Sequence, residues 1–517
     1  MGVGLFKLDV RLCPRSLEKR AIMETYRIAV GGRCIKASGG TVLVKALSDA
    51  GIHIDAVCNG AGTCKKCKVL VDGNVELACQ TVIDRNMEIA LFDEGHEEIL
   101  TTGISCKIEP DRTDRYAIAY DIGTTTVVAY LLDGMTGQEL AVASGQNPQR
   151  AHGADVITRV QYALKGGADE LQGEILGLLG KLTAEAATKA GIGQEEITLA
   201  CMVGNTCMHH LALHLDVEPL TTPPYMPSVS EALVLEAIKY LPISPNAALR
   251  VLPNIAGFIG ADTVGCLVAT QFDQLEEQTL LIDIGTNGEM VLGNATRRVA
   301  CSTAAGPAFE GARIECGMRG AFGAIDHVRV DSGDLVCSTI GGAKARGLCG
   351  SGLLDATAAL LDIGVINKRG RMKIPESLVD RSTEGDSGGL AITLQDGVWL
   401  SQKDIREVQL AKGAIRAGVE LMSEYADISL EGVSTCRLAG AFGNYLDPES
   451  ACKIGMLPPV LLSKVVPIGN AAGEGAKRCA LRESEFARAI KIAKETEFLE
   501  LATLDSFQDR FIKSNYF

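Results

Sequence analysis

The chain has 517 residues, 47% of them hydrophobic and 22% charged, an ordinary globular composition whose length suggests about three domains. A formal net charge of −14 argues against a nucleic-acid scaffold, which needs a basic surface, and no apolar run approaches the ~20 residues of a membrane span. Seventeen scattered cysteines in a long, Gly-rich chain suit a reducing cytoplasm, with most of them buried as small hydrophobes.

In chain order, residues 1–23 carry no usable pattern and read as an arm. Their weak apolar patch has no clear cleavage site and does not make a secretion signal. Tyr26–Val30 and Arg33–Ala37 flank Gly31-Gly32 as a hairpin. Thr41 is placed as the N-cap of a helix, Val42–Ala50, ended by Gly51. Cys58, Cys64, Cys67 and Cys79 follow with the spacing C-x5-C-x2-C-x11-C, and short strands KVLV and VEL surround the turn Asp72-Gly73-Asn74. Hairpin, helix and Cys loop read as a small β-grasp unit, 24–107.

Thiolates select zinc or iron–sulfur clusters. Zinc sites usually come as two close pairs. Here three cysteines share one Gly-bearing loop and the fourth arrives on a strand, which favours [2Fe–2S], a near variant of the plant-type spacing, over zinc or plain thiols. Gly60 and Gly62 allow backbone N–H groups to turn toward the sulfurs. Lys65, Lys66 and Lys68 are either a solvated run or a set that offsets cluster charge or marks a docking face. The segment resembles the adrenodoxin-like and plant-like ferredoxins, with LACQT (Leu77–Thr81) as the closing motif, and departs from them in having only eleven residues before Cys79.

A polar linker, 108–115, leads into YAIAYDIGTTTVVAY (Tyr116–Tyr130), which is echoed by LLIDIGTNGEMVL (Leu280–Leu292). Each reads as strand, tight turn and antiparallel strand. Gly123 and Gly285 let backbone approach an anion. Thr124, Thr125 and Thr126, and Thr286, Asn287 and Gly288, add donors suited to phosphate oxygens. Asp121 and Asp283 are hard oxygen ligands suited to hydrated Mg²⁺. One copy alone could be a polar hairpin without duty. Two copies, each followed by a Gly-containing turn (Asp133–Gly137, Gly293–Thr296), indicate duplicated α/β halves, 116–275 and 276–517, whose turns grip one nucleotide. No GxxxxGK[ST] string occurs, so this is not a P-loop.

Beyond the first turn, Asn147–Val160 opens a helical tract with an apolar face at Leu171, Ile175, Leu178, Leu179 and Leu182. A strand, Ile197–Val203, ends at Gly204-Asn205-Thr206. His209 and His210 read as an interior or helix-surface pair rather than metal ligands. Asp216–Pro227 is a Pro-broken excursion, and a helix after NIAGFIGADT (Asn254–Thr263) closes the first half. The second half carries a strand, Arg298–Thr303, the small-residue string AAGPAFEGA (Ala304–Ala312), and GLCGSGLLD (Gly347–Asp355). That last stretch is either a helix start offering N–H groups to phosphate or ribose, or a tight helix–strand contact. Leu410–Met422 is a helix with Lys412 and Arg416 on one face. LAGAFGNYLDP (Leu438–Pro448) and IGNAAGEGA (Ile468–Ala476) are further Gly-rich turns, and Phe486–Glu497 is an amphipathic surface helix.

The two DIGT turns, GLCGSG and the late Gly turns resemble the acetate and sugar kinase/Hsp70/actin superfamily. More narrowly, GADVITR, QKDIREVQLAKGAIRAG, LAGAFGNYLDPESA and IGNAAGEGA resemble the reductive activators of corrinoid-dependent enzymes, with a likeness running from Glu24 to about Glu500. The resemblance implies an α/β chain: an N-terminal β-grasp ferredoxin-like domain, then a duplicated actin/Hsp70-like (ribonuclease H-like) ATPase domain. It implies ATP-dependent reduction of a corrinoid protein from Co(II) to Co(I), with an electron passed through the [2Fe–2S] cluster. Asp121 and Asp283 would position Mg²⁺ and water. Gly123, Thr124, Thr125, Thr126, Gly285, Thr286, Asn287 and Gly288 would hold phosphates, and Gly350, Ser351, Gly352, Gly440, Gly443 and Asn444 would lie by the nucleoside. The implied partners are a corrinoid protein of a methyltransferase or demethylase system and an upstream low-potential electron donor; relatives of this kind suggest a homodimer. Larger members carry an extra middle domain, which the short 108–115 linker is expected to leave out. Three other readings stand: a small-molecule kinase, which needs no cluster; an activator of another redox enzyme, such as a dehydratase; and a non-catalytic redox sensor.

Overall fold

The structure is a computed structural model that describes residues 25–50, 67–91, 108–111, 115–153 and 155–517, with the single positions 52, 54, 60, 62 and 104. The arm 1–23, Cys58, Cys64, Lys65 and Lys66 lie outside the described residues. What is described falls into two compact units, one of residues up to 52 together with 68–92, the other of residues 53–67 together with everything from 93 onward.

The small unit has strands β1 (Thr25–Val30), β2 (Arg33–Ser38), β3 (Lys68–Val71), β4 (Asn74–Leu77) and β5 (Met87–Leu91), in the sheet order β2-β1-β5-β3-β4. β1 and β2 join through Gly31 and Gly32 at φ 54° and 74°, the left-handed pair that a two-residue hairpin of native twist needs. β1 runs parallel to β5, and helix α1 (Leu43–Asp49) buries Leu43, Ala46 and Leu47, completing a β-grasp. Thr41 does not cap this helix. Its N–H goes to Ser38 and its carbonyl takes the Ile83 N–H, so Val42 stands at the N-cap without a side-chain bond.

The large unit repeats one plan. Its first lobe has β6 (Tyr116–Ile122), β7 (Thr126–Asp133), β8 (Glu139–Gln146), β9 (Ile197–Gly204), β10 (Leu233–Glu236) and β11 (Ala248–Val251), in the order β10-β11-β9-β6-β7-β8. Helices α2 (Val156–Tyr162), α3 (Ala168–Ala190), α4 (Thr206–Leu213) and α5 (Ala261–Ala269) accompany them. The tract from Asn147 is not one helix. A 3-10 turn, Pro148–His152, precedes α2, and a π-turn with Gly166 at φ 98° separates α2 from α3, because Gly153 and Gly166-Gly167 interrupt the run.

The second lobe contains β12 (Thr279–Ile284), β13 (Gly288–Gly293) and β14 (Arg298–Thr303). An insertion follows, with β15 (Ala324–Asp331), β16 (Asp334–Thr339), β17 (Gly347–Leu348), helix α6 (Gly350–Asp362), β18 (Ser382–Glu384), β19 (Leu390–Gln395) and β20 (Val398–Ser401). Then come α7 (Gln402–Ala426), β21 (Thr435–Ala439), α8 (Gly440–Tyr445), α9 (Pro448–Lys453), β22 (Val465–Gly469), α10 (Ala471–Leu481), α11 (Glu483–Glu495), β23 (Glu497–Phe498) and α12 (Phe507–Ser514). The sheet order is β22-β21-β12-β13-β14-β23. In both lobes three antiparallel strands are followed by two parallel ones on the side of the first strand, the ribonuclease H-like arrangement expected of a duplication. The surface helix expected at Phe486–Glu497 is α11, which buries Phe486, Ala489 and Ile492; Glu497 and Phe498 pair instead with β14.

Strand alternation decides where the cores sit. Leu280, Ile282 and Ile284 of β12 face the second lobe's own core, whereas Leu281, with Val291 and Ala300, packs into a core shared with Ala117, Ala119, Val128 and Tyr130 of the first lobe. α5 and α10 meet in that shared layer. A Cβ on Gly475 would fall 2.1 Å from the Gly265 carbonyl oxygen, so only glycine permits the approach. This contact joins the lobes at the base of a cleft.

Candidate functional site

The cleft is a cavity of about 490 Å³ between the two Asp turns. Asp121 and Asp283 sit one residue before the ends of their first strands, opposite Val128 and Glu289 in register. Each is held by a side chain from the central helices. The Asp121 carboxylate accepts a bond from Asn470 Nδ2 at 2.7 Å, and Asn470 itself caps α10 through Gly473 N–H at 2.8 Å. Asp283 accepts the thiol of Cys266, on α5, at 3.7 Å. Backbone crowds in from the other side: Gly440, at φ 82°, would set a Cβ 2.7 Å from Asp283 Oδ1.

Asp262, in the first turn of α5, and Glu289 complete an acidic floor. Desolvation raises all four carboxylates. Asp121 is pushed up to about 6, relieved by Asn470 and pressed further by Asp283; Asp283 also rises to about 6. Asp262 and Glu289 rise as well, each repelled by its acidic neighbours. Four carboxylates in one desolvated place oppose each other's ionisation unless a cation joins them.

The first turn is rigidly backed. Asn147 Nδ2 holds the Gly123 carbonyl at 2.9 Å, its N–H holds the Thr125 carbonyl at 2.8 Å, and Asn205 Nδ2 reaches Thr124 Oγ1 at 2.8 Å. The buried Arg159 donates to the Thr124 carbonyl and to the Gly153 carbonyl. Glu310 lies between the turns, and Phe309 and Phe442, which also line the cavity, stack with centroids 4.6 Å apart.

Of the residues expected from sequence, Asp121, Gly123, Thr124, Thr125, Thr126, Asp283, Gly285, Thr286, Asn287, Gly350, Ser351 and Gly440 line the cavity together. Gly288, Gly352, Gly443 and Asn444 are not among its lining residues. Gly288 packs on Thr303 and Gly443 on Leu438, and Gly352 meets the Ile325 carbonyl so closely that a Cβ would fall 2.2 Å away. The GLCGSG stretch therefore does both things: Gly350 and Ser351 face the cleft, while Gly352 is the tight helix–strand contact. Asn205, Asp262, Glu289, Glu310, Arg319 and Asn470 were not singled out. In the sequence Asn205 stands at a strand end, Asp262 in the lead-in to a helix, Glu310 in a small-residue string and Asn470 in a Gly-rich turn, but only the fold shows which polar residue of each string faces the cavity. His209 and His210 are interior, as expected: His209 Nδ1 meets Asn254 at 2.8 Å and His210 Nδ1 meets the Thr206 carbonyl at 2.7 Å.

In the small unit, Cys79 follows β4 and is 6% exposed, with the Gln80 side-chain N–H 3.8 Å from its sulfur. Cys67, which falls in the larger unit, is also buried. Gly60 and Gly62, in the larger unit, stand at φ 79° and 72°, the left-handed region that favours glycine. The buried thiol of Cys79 is a soft donor of the kind that suits an iron–sulfur cluster. Most of the remaining described cysteines, among them Cys201, Cys266 and Cys436, are buried and unbridged.

A ferredoxin-type unit and a two-lobed actin/Hsp70-like unit with an acidic, hydroxyl-lined cleft define the class: an iron–sulfur protein built on an ATPase fold. Three family models match, the 2Fe-2S iron-sulfur cluster binding domain over 30–109, the RACo middle region over 116–275, and the C-terminal ASKHA domain of RACo over 277–517. The corrinoid activation enzyme RamQ of Eubacterium limosum is 32% identical over 93% of this chain and 97% of its own. The Co(II) methylated amine-specific corrinoid protein reductase of Methanosarcina barkeri is 27% identical over 77% of this chain and 76% of its own. A solved reductive activator for corrinoid, iron-sulfur protein superposes with a TM-score of 0.73 at 28% identity, covering 95% of this chain and 98% of that one. The chain belongs to the RACo family, the reductive activators that its motifs resemble. The expectation that a middle part is left out at the 108–115 linker is corrected to this extent: the family's middle region is the first lobe.

Proposed function

We propose that this chain is an ATP-dependent activator that returns a corrinoid protein from Co(II) to Co(I) by adding one electron. The observation that carries the reading is the joining, in one chain, of a cysteine-bearing β-grasp unit to a duplicated cleft with paired carboxylates and hydroxyls. Relatives named for corrinoid activation and corrinoid protein reduction support it. A small-molecule kinase would use such a cleft but has no need of the cysteine unit.

Cys58, Cys64, Cys67 and Cys79 are the ligands we assign to a [2Fe–2S] cluster, which when bound supplies single electrons near roughly −400 mV. ATP is assigned to the cleft. Its phosphates meet the donors of Gly123–Thr126 and Gly285–Asn287; its nucleoside lies toward Gly350, Ser351, Gly440 and Phe442. Mg²⁺ suits the acidic floor. Asp121, Asp262, Asp283 and Glu289 offer hard carboxylate oxygens of the kind that take an Mg²⁺ ion keeping several of its waters. Every ~59 mV of shortfall for one electron is about a tenfold penalty. Lobes that close differently on ATP and on its products can offset that penalty, since a ligand shifts a two-state protein only through differential affinity. An upstream low-potential donor, a homodimer and a cytoplasmic setting complete the proposal. Among the described residues no helix is long and apolar enough to cross a membrane.

The test is anaerobic mixing with a Co(II) corrinoid protein. Co(II) absorbance is expected to fall only when ATP and a reductant are both present, and Cys79→Ala is expected to abolish the change while still binding ATP. A phosphorylated small molecule formed equally by Cys79→Ala would sink this reading in favour of a kinase.

A further inference from the structure

One carboxylate spans the cleft. Glu310 accepts the Thr125 hydroxyl of the first turn at 3.0 Å and the Thr286 hydroxyl of the second at 2.7 Å. These hydroxyls are among the donors assigned above to phosphate. Positive charge gathers around the same place. Arg319 lines the same cleft as Glu310, Arg159 is buried behind the first turn, and Arg150 is also buried. Burial first, and then the charges of Arg319 and Arg159, lower the Arg150 guanidinium to about 8, while Glu310 favours its charged form. Two hydroxyls from opposite lobes with three guanidinium groups nearby make a place for an anion. In this structure the anion is the protein's own side chain.

Glu310 sits on a short turn after β14, where its N–H bonds the Pro307 carbonyl at 3.2 Å and the Gly311 N–H bonds the Ala308 carbonyl at 3.0 Å. Phe309, next to it, also lines the cavity and stacks on Phe442.

We propose that Glu310 is an internal stand-in for the terminal phosphate of ATP. Without nucleotide it ties the lobes together through Thr125 and Thr286; the third phosphate displaces it and moves the Pro307–Gly311 turn, whereas ADP leaves it in place. The segment thereby distinguishes ATP from ADP, the differential that coupling to a second event requires. The inference rests on the reading that the cleft takes ATP.

The test is calorimetric titration of the full chain with ATP and with ADP in Mg²⁺, for wild type and Glu310→Gln, which keeps size and an accepting oxygen but removes the charge. Glu310→Gln is expected to bind ATP about tenfold more tightly, because like charges no longer meet, with ADP affinity within about twofold. Unchanged ATP affinity, or an equal gain for ADP, overturns the proposal. So does a loss of turnover at unchanged affinity, which would place Glu310 at the attacking water instead. Hydrogen exchange of wild-type residues 304–312 keeps the test available if the variant does not fold. Exchange is expected to be faster with a non-hydrolysable ATP analogue than with ADP, and equal rates overturn the proposal. A wild-type chain that binds neither nucleotide removes the ATP reading and this inference with it.

Discussion

The two lobes share a strand order and an Asp turn, yet they hold those turns differently. The first is fastened from behind by Asn147, Asn205 and the buried Arg159, which together fix the Gly123, Thr124 and Thr125 backbone or hydroxyl groups. Both turns close on themselves, Gly123 N–H to the Thr126 carbonyl and Gly285 N–H to the Asn287 carbonyl, each at 2.9 Å, and both reach Glu310, through Thr125 and Thr286. Duplication kept what the chemistry needs, a carboxylate and donors at one end of a sheet. It let the support diverge, and the second lobe spent its freedom on the insertion that carries α6 and the cavity wall. A fixed jaw facing a less fastened one suits a clamp that must open and close.

The largest effect expected from breaking the symmetry is at the carboxylates. Asp121→Asn and Asp283→Asn should each lower ATPase turnover by ~10²-fold or more, since each removes a fixed charge aimed at the cation and developing phosphate charge. Steady-state phosphate release measures it. If one variant keeps near wild-type turnover, the twinned-clamp picture fails for that lobe.

Next is the backing of the first turn. Arg159→Lys keeps a charge but loses the fork that serves the Thr124 and Gly153 carbonyls, so about 2–4 kcal/mol of stability should go, together with ATP affinity. Thermal unfolding with and without nucleotide reads both. Normal melting and normal affinity would show that the first turn is no better anchored than the second.

The smallest is a pH effect confined to the first lobe. Burial, with His210 nearby, lowers the His209 imidazole to about 3, below its ordinary value of about 6.5. The unfolded chain then binds a proton that the folded chain refuses. Stability therefore falls as pH drops through 6.5 and levels off near 3, with about 2 kcal/mol lost between pH 7 and pH 5. His209→Gln should flatten that slope in urea titrations at the two pH values; an unaltered slope would assign the acid sensitivity to other groups.

Sequence alone went far here because the informative features are local and repeated. A strand–Asp-Ile-Gly-Thr–strand string carries its own turn chemistry, so two copies announce two lobes, and cysteine spacing carries ligand chemistry without needing a fold. What it could not reach is long-range. Glu310 lies 185 residues from Thr125 and Asn470 lies 349 from Asp121, and nothing in either local string distinguishes a side chain facing the cleft from one facing solvent. Gly288, Gly352, Gly443 and Asn444 were placed with the nucleotide because glycine-rich turns look alike in a string, whereas the fold makes Gly288, Gly352 and Gly443 packing glycines. The residue letters settled the class of protein and supplied the four cysteines proposed as cluster ligands. Only the packing of α5 against α10 between two sheets decided which polar groups converge, because burial and the path of the chain, and not spacing along it, bring a carboxylate from one lobe to the hydroxyl of the other.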